Sequence, residues 1–492
     1  MTQITKRNHL IVNVNGENIQ VSADEAFQPL AQFLRNTLHK PGTKVVCAEG
    51  DCGACSVVTS TLRADGWTPL RTINSCIAPV YLFDLSCIVT VEGMKDAEEL
   101  SEVQNKMRDF HGGQCGFCTP GMVCSMAQLA EDCKTSGSAI TEKKARNYLT
   151  GNLCRCTGYE PILKAATHLD LNKWQLLSER YLTTDLTSKF KSHLSEGIEI
   201  QSENKKLSMP TVLTEALRIK SENPAVRLVA GATDLGVLIN KAKTSLQEIM
   251  VLNKIPGTQI VSGSASGILI GAMATLTDVE NFVKSDHPEL KRLLHIFASP
   301  QIKNQGTLLG NILNGSPIGD SIPPLMTLDA EIQFQSVRGA RSVKLSEYYK
   351  GYKVFDKAED EIATGLFVPA LVGNYVHRYF KVSLRKDLDI SAVTFAAVLK
   401  LDGGTITEAR ISMGGVGPTV VRMPQVESLL AGHSFSEKTF TAAGALASSL
   451  IKPLSDLRAS SEYRHLVTEN LFKKCFHELN AEMNSKMEAV CP

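Results

Sequence analysis

Apolar and polar positions alternate through HLIVNVNGENIQVS, residues 9–22, around a central Asn15-Gly16, and this pattern predicts a β-hairpin. FQPLAQFLRNTL then has helical spacing, and after a cysteine-rich loop the run ACSVVTSTL is rich in β-formers. Strand, turn, strand, helix, loop and strand predict a small α+β unit ending near Gly93. From there the period changes: DAEELSEVQNKMRDF, GMVCSMAQLAEDC and TEKKARNYLTG are helical in spacing, with Gly and Pro between them. Residues 168–208 lack a sustained apolar face and read as an interdomain linker. Regular β and α alternation resumes at MPTVLTEALRIKSENPAVRLVAGATDLGVLI and persists to about residue 335. A last unit opens with strands (HRYFKVS, AVTFAAVLKLDGGTITEARISMGGV) and closes in helices. The expected organisation is a multidomain α+β chain: 1–93, 94–167, a linker over 168–208, then 209–374 and 375–492.

At 492 residues the chain is too long for one core. With 52 Lys and Arg against 51 Asp and Glu, the net charge of +1 gives no electrostatic reason to expect nucleic acid or an anionic membrane as partner. The N-terminus has no apolar signal core, and nowhere is there an uninterrupted apolar run of the ~18 residues a membrane span requires. A cytoplasmic location is expected, where thiols stay reduced. Thirteen cysteines then favour metal ligation over disulfides, and eleven of them precede residue 157.

CAEGDCGACSVV supplies Cys47, Cys52 and Cys55, and Cys76 follows twenty-one positions later. C-x4-C-x2-C with a distant fourth Cys is the plant-type [2Fe–2S] spacing, whereas zinc more usually takes two Cys-x2-Cys or Cys/His pairs. Gly50 and Gly53 let the backbone wrap closely and turn amides toward sulfur, which raises the reduction potential. HGGQCGFCTPGM supplies Cys115 and Cys118, and GNLCRCTGY supplies Cys154 and Cys156. Two loops that each deliver a pair of thiolates can enclose a cluster or a zinc ion, and spacing leaves both open. Cys87, Cys124, Cys133, Cys475 and Cys491 read as small buried hydrophobes.

LVAGATDLGVLI, residues 228–239, is a strand, a Gly-centred turn and a helix start. Gly231 allows close backbone approach, and Thr233 and Asp234 are placed to cap a helix whose amides could hold a pyrophosphate. An ordinary strand-to-helix turn explains the same residues. In residues 297–332, Gly306, Gly310, Gly315 and Gly319 interrupt an apolar segment, with Asn311, Asn314, Ser316 and Asp320 between them. So many glycines predict a poor helix or strand, and either a loop surrounding a ligand or a plain loop-rich connection.

GQCGFCTPGM and LCRCTGY, behind the first cysteine set, closely resemble the iron–sulfur region of the xanthine dehydrogenase/aldehyde oxidase family of molybdenum hydroxylases. The resemblance extends from residue 9 to beyond 430. It implies a β-grasp plant-type ferredoxin domain, a four-helix-type [2Fe–2S] domain, a vanillyl-alcohol-oxidase-like FAD domain and a C-terminal α+β flavoprotein domain. It further implies two [2Fe–2S] clusters, one on Cys47, Cys52, Cys55 and Cys76, the other on Cys115, Cys118, Cys154 and Cys156. Gln114 and Cys156 would contact the molybdopterin, although Gln114 by itself reads as a surface amide. Leu228, Val229, Ala230, Gly231, Ala232, Thr233, Asp234 and Leu235 would bind the FAD diphosphate. Phe297, Thr307, Gly310, Asn311 and Asp320 would line the cofactor and Lys381 would reach it. Arg385, Asp387 and Asp389, a mixed-charge solvated run by composition, would lie near the isoalloxazine, and the stretch from Ile411 to Arg422 resembles the C-terminal flavoprotein domain.

The chain stops at Pro492, before any molybdopterin domain. The resemblance therefore implies the iron–sulfur/FAD subunit of a bacterial purine-oxidising enzyme. A large molybdopterin-binding subunit would be its partner, in an (αβ)2 heterotetramer that hydroxylates hypoxanthine and xanthine to urate and passes electrons through both clusters to FAD and NAD. No residue of this chain is expected to act as acid or base on the substrate. The rival readings are an aldehyde or N-heterocycle oxidoreductase with another acceptor, and a stand-alone iron–sulfur flavoprotein carrier or sensor. No dinucleotide fingerprint for NAD is legible.

Overall fold

The computed structural model of the chain describes residues 5–283, 287–385 and 388–490. Two compact units are present, Met1–Pro256 with Ser299–Gly306, and Gly257–Ala298 with Thr307–Pro492.

In the first unit the expected hairpin forms from His9–Val14 and Glu17–Ser22, turned by Asn15 at φ 52° and Gly16 at φ 95°. Two successive positive φ values give the turn whose twist matches paired strands. His9–Val14 also pairs in parallel with Ser86–Val89, which in turn pairs antiparallel with Ser56–Arg63. Leu10, Val12, Val14, Val57, Val58 and Ile88 are fully buried. The four helices that follow are Glu102–Asp109, Thr119–Ser136, Glu142–Leu149 and Glu160–Thr167. Thr119–Ser136 is their centre, with residues 121–131 all buried. Ser101 and Gln104 form a capping box at the start of the first.

The expected linker over 168–208 is instead folded, with helices Leu177–Tyr181 and Thr184–Lys191 and strand Gly197–Gln201. Its few apolar residues are well placed: Trp174, Leu177, Leu186 and Phe190 are buried in the core of the cysteine-rich domains. Buried Glu131 accepts from Trp174 Nε1 at 3.1 Å, from the amides of Leu177 and Ser178 at 2.9 Å and from Ser178 Oγ at 2.6 Å. Hydrogen bonds to a buried carboxylate thus anchor a stretch without an apolar stripe.

A second sheet in this unit runs in the order Lys6–Arg7, Gly197–Gln201, Lys206–Met209, Glu248–Val251, Arg227–Val229. Its last three strands are parallel, with helices Leu213–Glu222 and Leu235–Asn240 in the connections. Residues 209–256, expected with the FAD domain, therefore share a sheet with the N-terminal residues. Asp84 is buried beneath, within 2.8 Å of Arg7 Nη2 and 3.0 Å of Lys254 Nζ, and accepts the Ile11 amide at 3.0 Å.

The second unit contains an antiparallel sheet ordered Val261–Ser264, Gly267–Gly271, Ile362–Pro369, Glu331–Ser336, Gly339–Lys344. A four-stranded sheet is ordered Tyr375–Val382, Val393–Asp402, Thr405–Gly414, Val421–Arg422, and Tyr349–Gly351 pairs with Val354–Phe355. Residues 393–399 are all buried, so the strand reads as an apolar run. Phe395 stacks on Phe380 and meets Phe472 of the helix Ser461–Val490 edge-on at 5.0 Å. Among the described residues no helix is long and apolar enough to cross a membrane.

Candidate metal and flavin centres

The loop carrying Cys47, Cys52 and Cys55 turns through positive φ at Ala48, Gly50 and Gly53, which folds its cysteines back on one another. Their thiols form a chain with that of Cys76. Hydrogen bonds from Cys52 and then Cys76 hold the Cys47 thiol far below its ordinary range, against the opposing effect of burial. Cys52 and Cys76 are pushed up, each first through Cys47, and Cys55 is lowered chiefly through Cys76. The amides of Glu49 and Cys52 lie 3.4 and 3.5 Å from Cys47 Sγ, as a thiolate requires. Cys55 and Cys76 are buried with Ala31 and Ile77, under Val237 and Ile302. Asn240 Nδ2 donates to the carbonyls of Cys76 and Ala48 at 2.8 and 2.9 Å. The helix that carries Asn240 approaches closely because Gly236 meets the Ile77 carbonyl.

The other four cysteines also come together. Cys118 precedes the helix Thr119–Ser136, and Cys154 and Cys156 precede Glu160–Thr167. Cys156 Sγ is 3.4 Å from Cys115 Sγ. Burial, then contact with Cys154, pushes the Cys118 thiol up to about 12. Burial acts to raise Cys154 as well, but the Thr157 hydroxyl at 3.1 Å and nearby amides outweigh it and lower the thiol. Each loop thus gives one thiol to each of two pairs, 115 with 156 and 118 with 154. Among the described residues no three His, Cys, Asp or Glu side chains group around a single ion. A two-iron cluster takes two thiolates on each iron, so thiols that meet in pairs fit it. Gln114, Cys115 and Cys156 are exposed, beside exposed Phe117, Leu153 and Tyr159. Cys87, Cys124, Cys133 and Cys475 are buried, and burial raises the Cys87 thiol to about 12; Cys491 lies outside the described residues.

The two cysteine regions meet through backbone. The Leu153 amide donates to the Cys52 carbonyl at 2.9 Å, and two glycines make that approach possible. A methyl group on Gly53 would strike the Gly151 carbonyl and Asn152, and one on Gly121 would strike the Gly53 carbonyl. Gly53→Ala should therefore cost about 1–2 kcal/mol for the left-handed backbone and about 1–3 kcal/mol for overpacking. Urea unfolding followed by fluorescence, with iron analysis of the folded fraction, checks this; an unchanged midpoint would contradict it.

In the first unit Leu228 and Val229 end the strand Arg227–Val229, Ala232 turns at φ 56°, and Leu235 begins a helix. The turn is the one expected, but Asp234 stands at the N-cap without a side-chain capping bond, so the expected capping role is not taken. Gly231 is close to the Gln305 carbonyl, and Gln305 Nε2 donates to the Gly231 carbonyl at 2.6 Å.

In the second unit the glycine-rich segment is more helical than its composition suggested. Thr307 caps Leu308–Asn314 by accepting the Gly310 amide at 3.1 Å, and Gly315 ends it at φ 59°. A good cap and a left-handed C-terminal glycine offset the internal Gly310. Asn311 accepts from Ser321 Oγ at 2.7 Å, and Phe297 is partly buried against the core. Asp320 and Lys381 form a buried ion pair at 2.5 Å, in which Asp320 also accepts from Ser391 at 2.6 Å and from Thr394. The Arg385 amide donates to Asp389 at 2.8 Å in an exposed turn, and Asp387 lies outside the described residues. Sequence reasoning missed Asn152, Asn240, Gln301 and Ile302; Asn152 follows Gly151 and Gln301 follows Pro300, while Asn240 and Ile302 carry no local signal.

Four family models match in series: a 2Fe-2S iron-sulfur cluster binding domain over 12–92 and a [2Fe-2S] binding domain over 90–167, then the FAD binding domain of molybdopterin dehydrogenase over 202–371 and the CO dehydrogenase flavoprotein C-terminal domain over 378–479. A xanthine dehydrogenase of Drosophila pseudoobscura pseudoobscura is 29% identical over 86% of this chain and 36% of its own length. A xanthine dehydrogenase/oxidase of Gallus gallus is 27% identical over 95% of this chain and 40% of its own length. The chain thus spans little more than a third of the curated relatives it matches. Chains of the carbon monoxide dehydrogenase of Hydrogenophaga pseudoflava and of quinoline 2-oxidoreductase from Pseudomonas putida 86 share the fold over 55% of this chain. Each is 24% identical, with TM-scores of 0.52 and 0.51, and the match covers 95% and 94% of those chains. The serial order of these domains places the chain in the molybdenum hydroxylase family of xanthine dehydrogenase and carbon monoxide dehydrogenase, with two [2Fe–2S]-binding domains and an FAD-binding domain.

Proposed function

We propose that the chain is the electron-transfer part of a xanthine dehydrogenase. It would accept electrons from a large molybdopterin-binding subunit that oxidises purines, within an (αβ)2 heterotetramer in the cytoplasm, and deliver them to NAD. When bound, the clusters would supply one-electron carriage and the flavin the change between single electrons and hydride. Cys47, Cys52, Cys55 and Cys76 would hold one cluster, and Cys115, Cys118, Cys154 and Cys156 the other. Leu228–Leu235 would take the FAD diphosphate, with Phe297, Thr307, Gly310, Asn311, Asp320 and Lys381 as further flavin residues.

The observation that carries this reading is the continuity of the first unit. The Cys154 loop is bonded to Cys52, and the helix after the diphosphate turn is bonded to Cys76 through Asn240. These residues hold the carriers in one frame and shield Cys55 and Cys76 from water. Exposure of Gln114, Cys115 and Cys156 leaves that end of the relay open to a molybdopterin-bearing partner.

Anaerobic titration of the purified complex with xanthine and then NAD tests the reading. The flavin absorbance should bleach with xanthine and return with NAD. No bleaching would remove the purine assignment, bleaching without return would remove NAD, and recovery of a cluster-loaded chain that never has a molybdenum partner would remove both.

A further inference from the structure

Between the two quartets lies a closed set of polar side chains: Ser56, Ser125, Asn152 and Gln301, none more than 2% exposed. Their orientations are fixed by chemistry. The Gly53 carbonyl can only accept, so Asn152 turns Nδ2 toward it, at 3.0 Å, and presents Oδ1 to the other side. That oxygen accepts from Ser125 Oγ at 2.7 Å and from Gln301 Nε2 at 2.8 Å. Gln301 Nε2 also lies 3.3 Å from Ser56 Oγ and from Ser125 Oγ. Gln301 Oε1 is left facing Gly151, with no hydrogen-bond partner among the described residues. A buried amide that leaves its own oxygen unsatisfied is oriented by what its nitrogen holds.

What it holds is the junction. Asn152 precedes Leu153, whose amide bonds to the Cys52 carbonyl, and Cys154 follows directly. Gln301 itself comes from Ser299–Gly306, a piece of the matched FAD-binding region that packs in the first unit. Asn304 of that piece donates to the Thr72 carbonyl at 2.8 Å, and Ile302 covers Cys55 and Cys76.

We propose that Gln301 is a positioning residue that sets the spacing and orientation of the two cysteine quartets. It acts through Asn152, and so lets the flavin-binding region tune the magnetic and electronic coupling between the two iron–sulfur centres. The proposal rests on the reading of both quartets as cluster sites.

The test uses the full chain, reduced with dithionite at low temperature, and reads the spin–spin splitting between the two reduced centres alongside iron content. Wild type should hold iron for two clusters and show the splitting. Gln301→Met, which keeps the length and removes the donor, should keep the iron and the separate cluster signals but weaken the splitting, because dipolar coupling falls with the cube of separation. Asn152→Asp, which keeps Oδ1 and sets a carboxylate oxygen against the Gly53 carbonyl, should do the same. Undiminished splitting in both iron-replete variants overturns the proposal, as does loss of iron in both, which would make these residues part of the folding core only. A wild-type chain that binds fewer than two clusters would instead overturn the cluster reading itself.

Discussion

Asp84→Ala is expected to lower the unfolding free energy of the first unit by about 3–5 kcal/mol, because it leaves the buried Lys254 without its counter-ion and takes one of two from the buried Arg7. The Arg7, Asp84 and Lys254 side chains are 6%, 2% and 8% exposed, so water cannot replace the carboxylate. Arg7 keeps Glu196 at 2.7 Å, while Lys254 loses its partner at Asp84. Both tryptophans of the chain, Trp67 and Trp174, lie in this unit, so fluorescence during urea unfolding follows it alone. The same carboxylate gives the unit an acid limit. Burial acts to raise its pKa, but Lys254, Arg7 and the Ile11 amide outweigh it and hold the group below its ordinary 3.8. A depressed carboxyl contributes stability that is complete above the unfolded value and is lost as pH falls through the folded one. Wild type should therefore lose stability more steeply than Asp84→Ala below about pH 4. Equal acid slopes in the two proteins would refute this assignment.

Lys381→Met should destabilise the second unit by a similar about 3–5 kcal/mol, since Asp320 would stay buried with only two hydroxyl donors. The paired side chains are 2% and 6% exposed. Replacing both, as Lys381→Met with Asp320→Leu, should return most of that stability, because an apolar pair of similar volume carries no desolvation cost. Flavin content separates structure from binding. If the pair serves FAD as proposed, the stable double variant will purify without flavin; if its role is only structural, flavin will return with stability. Circular dichroism on heating and flavin absorbance after gel filtration read the two effects.

The sequence carried the local features well and the distant ones poorly. Asn15-Gly16, the three helical segments after Gly93 and the three cysteine loops are set by neighbours within a few residues, and the fold keeps them. Glu131 with Trp174, Asp84 with Lys254 and Gln301 with Asn152 join positions far apart, where no periodicity links the partners. For that reason 168–208 read as a linker: its anchor is a carboxylate on another helix. The glycine-rich run after Phe297 misled in the opposite direction. Composition counts each glycine as a cost, but Gly315 sits where a helix ends, and Thr307 supplies the cap. Asp320 and Lys381 entered only through the family resemblance, since neither residue announces a buried pair.

The two quartets differ in how they meet solvent, and this bears on how a chelator reaches them. Cys55 and Cys76 are sealed at 0% and 3% exposure beneath Ile302 and Val237, residues that arrive late in the chain. That cover closes the inner side of the quartet, while Cys47 and Cys52 keep its outer side partly open. Cys115 and Cys156 stay open in the finished fold. In the chain by itself a chelator therefore meets Cys115 and Cys156 directly, but reaches the first quartet only from the side of Cys47 and Cys52.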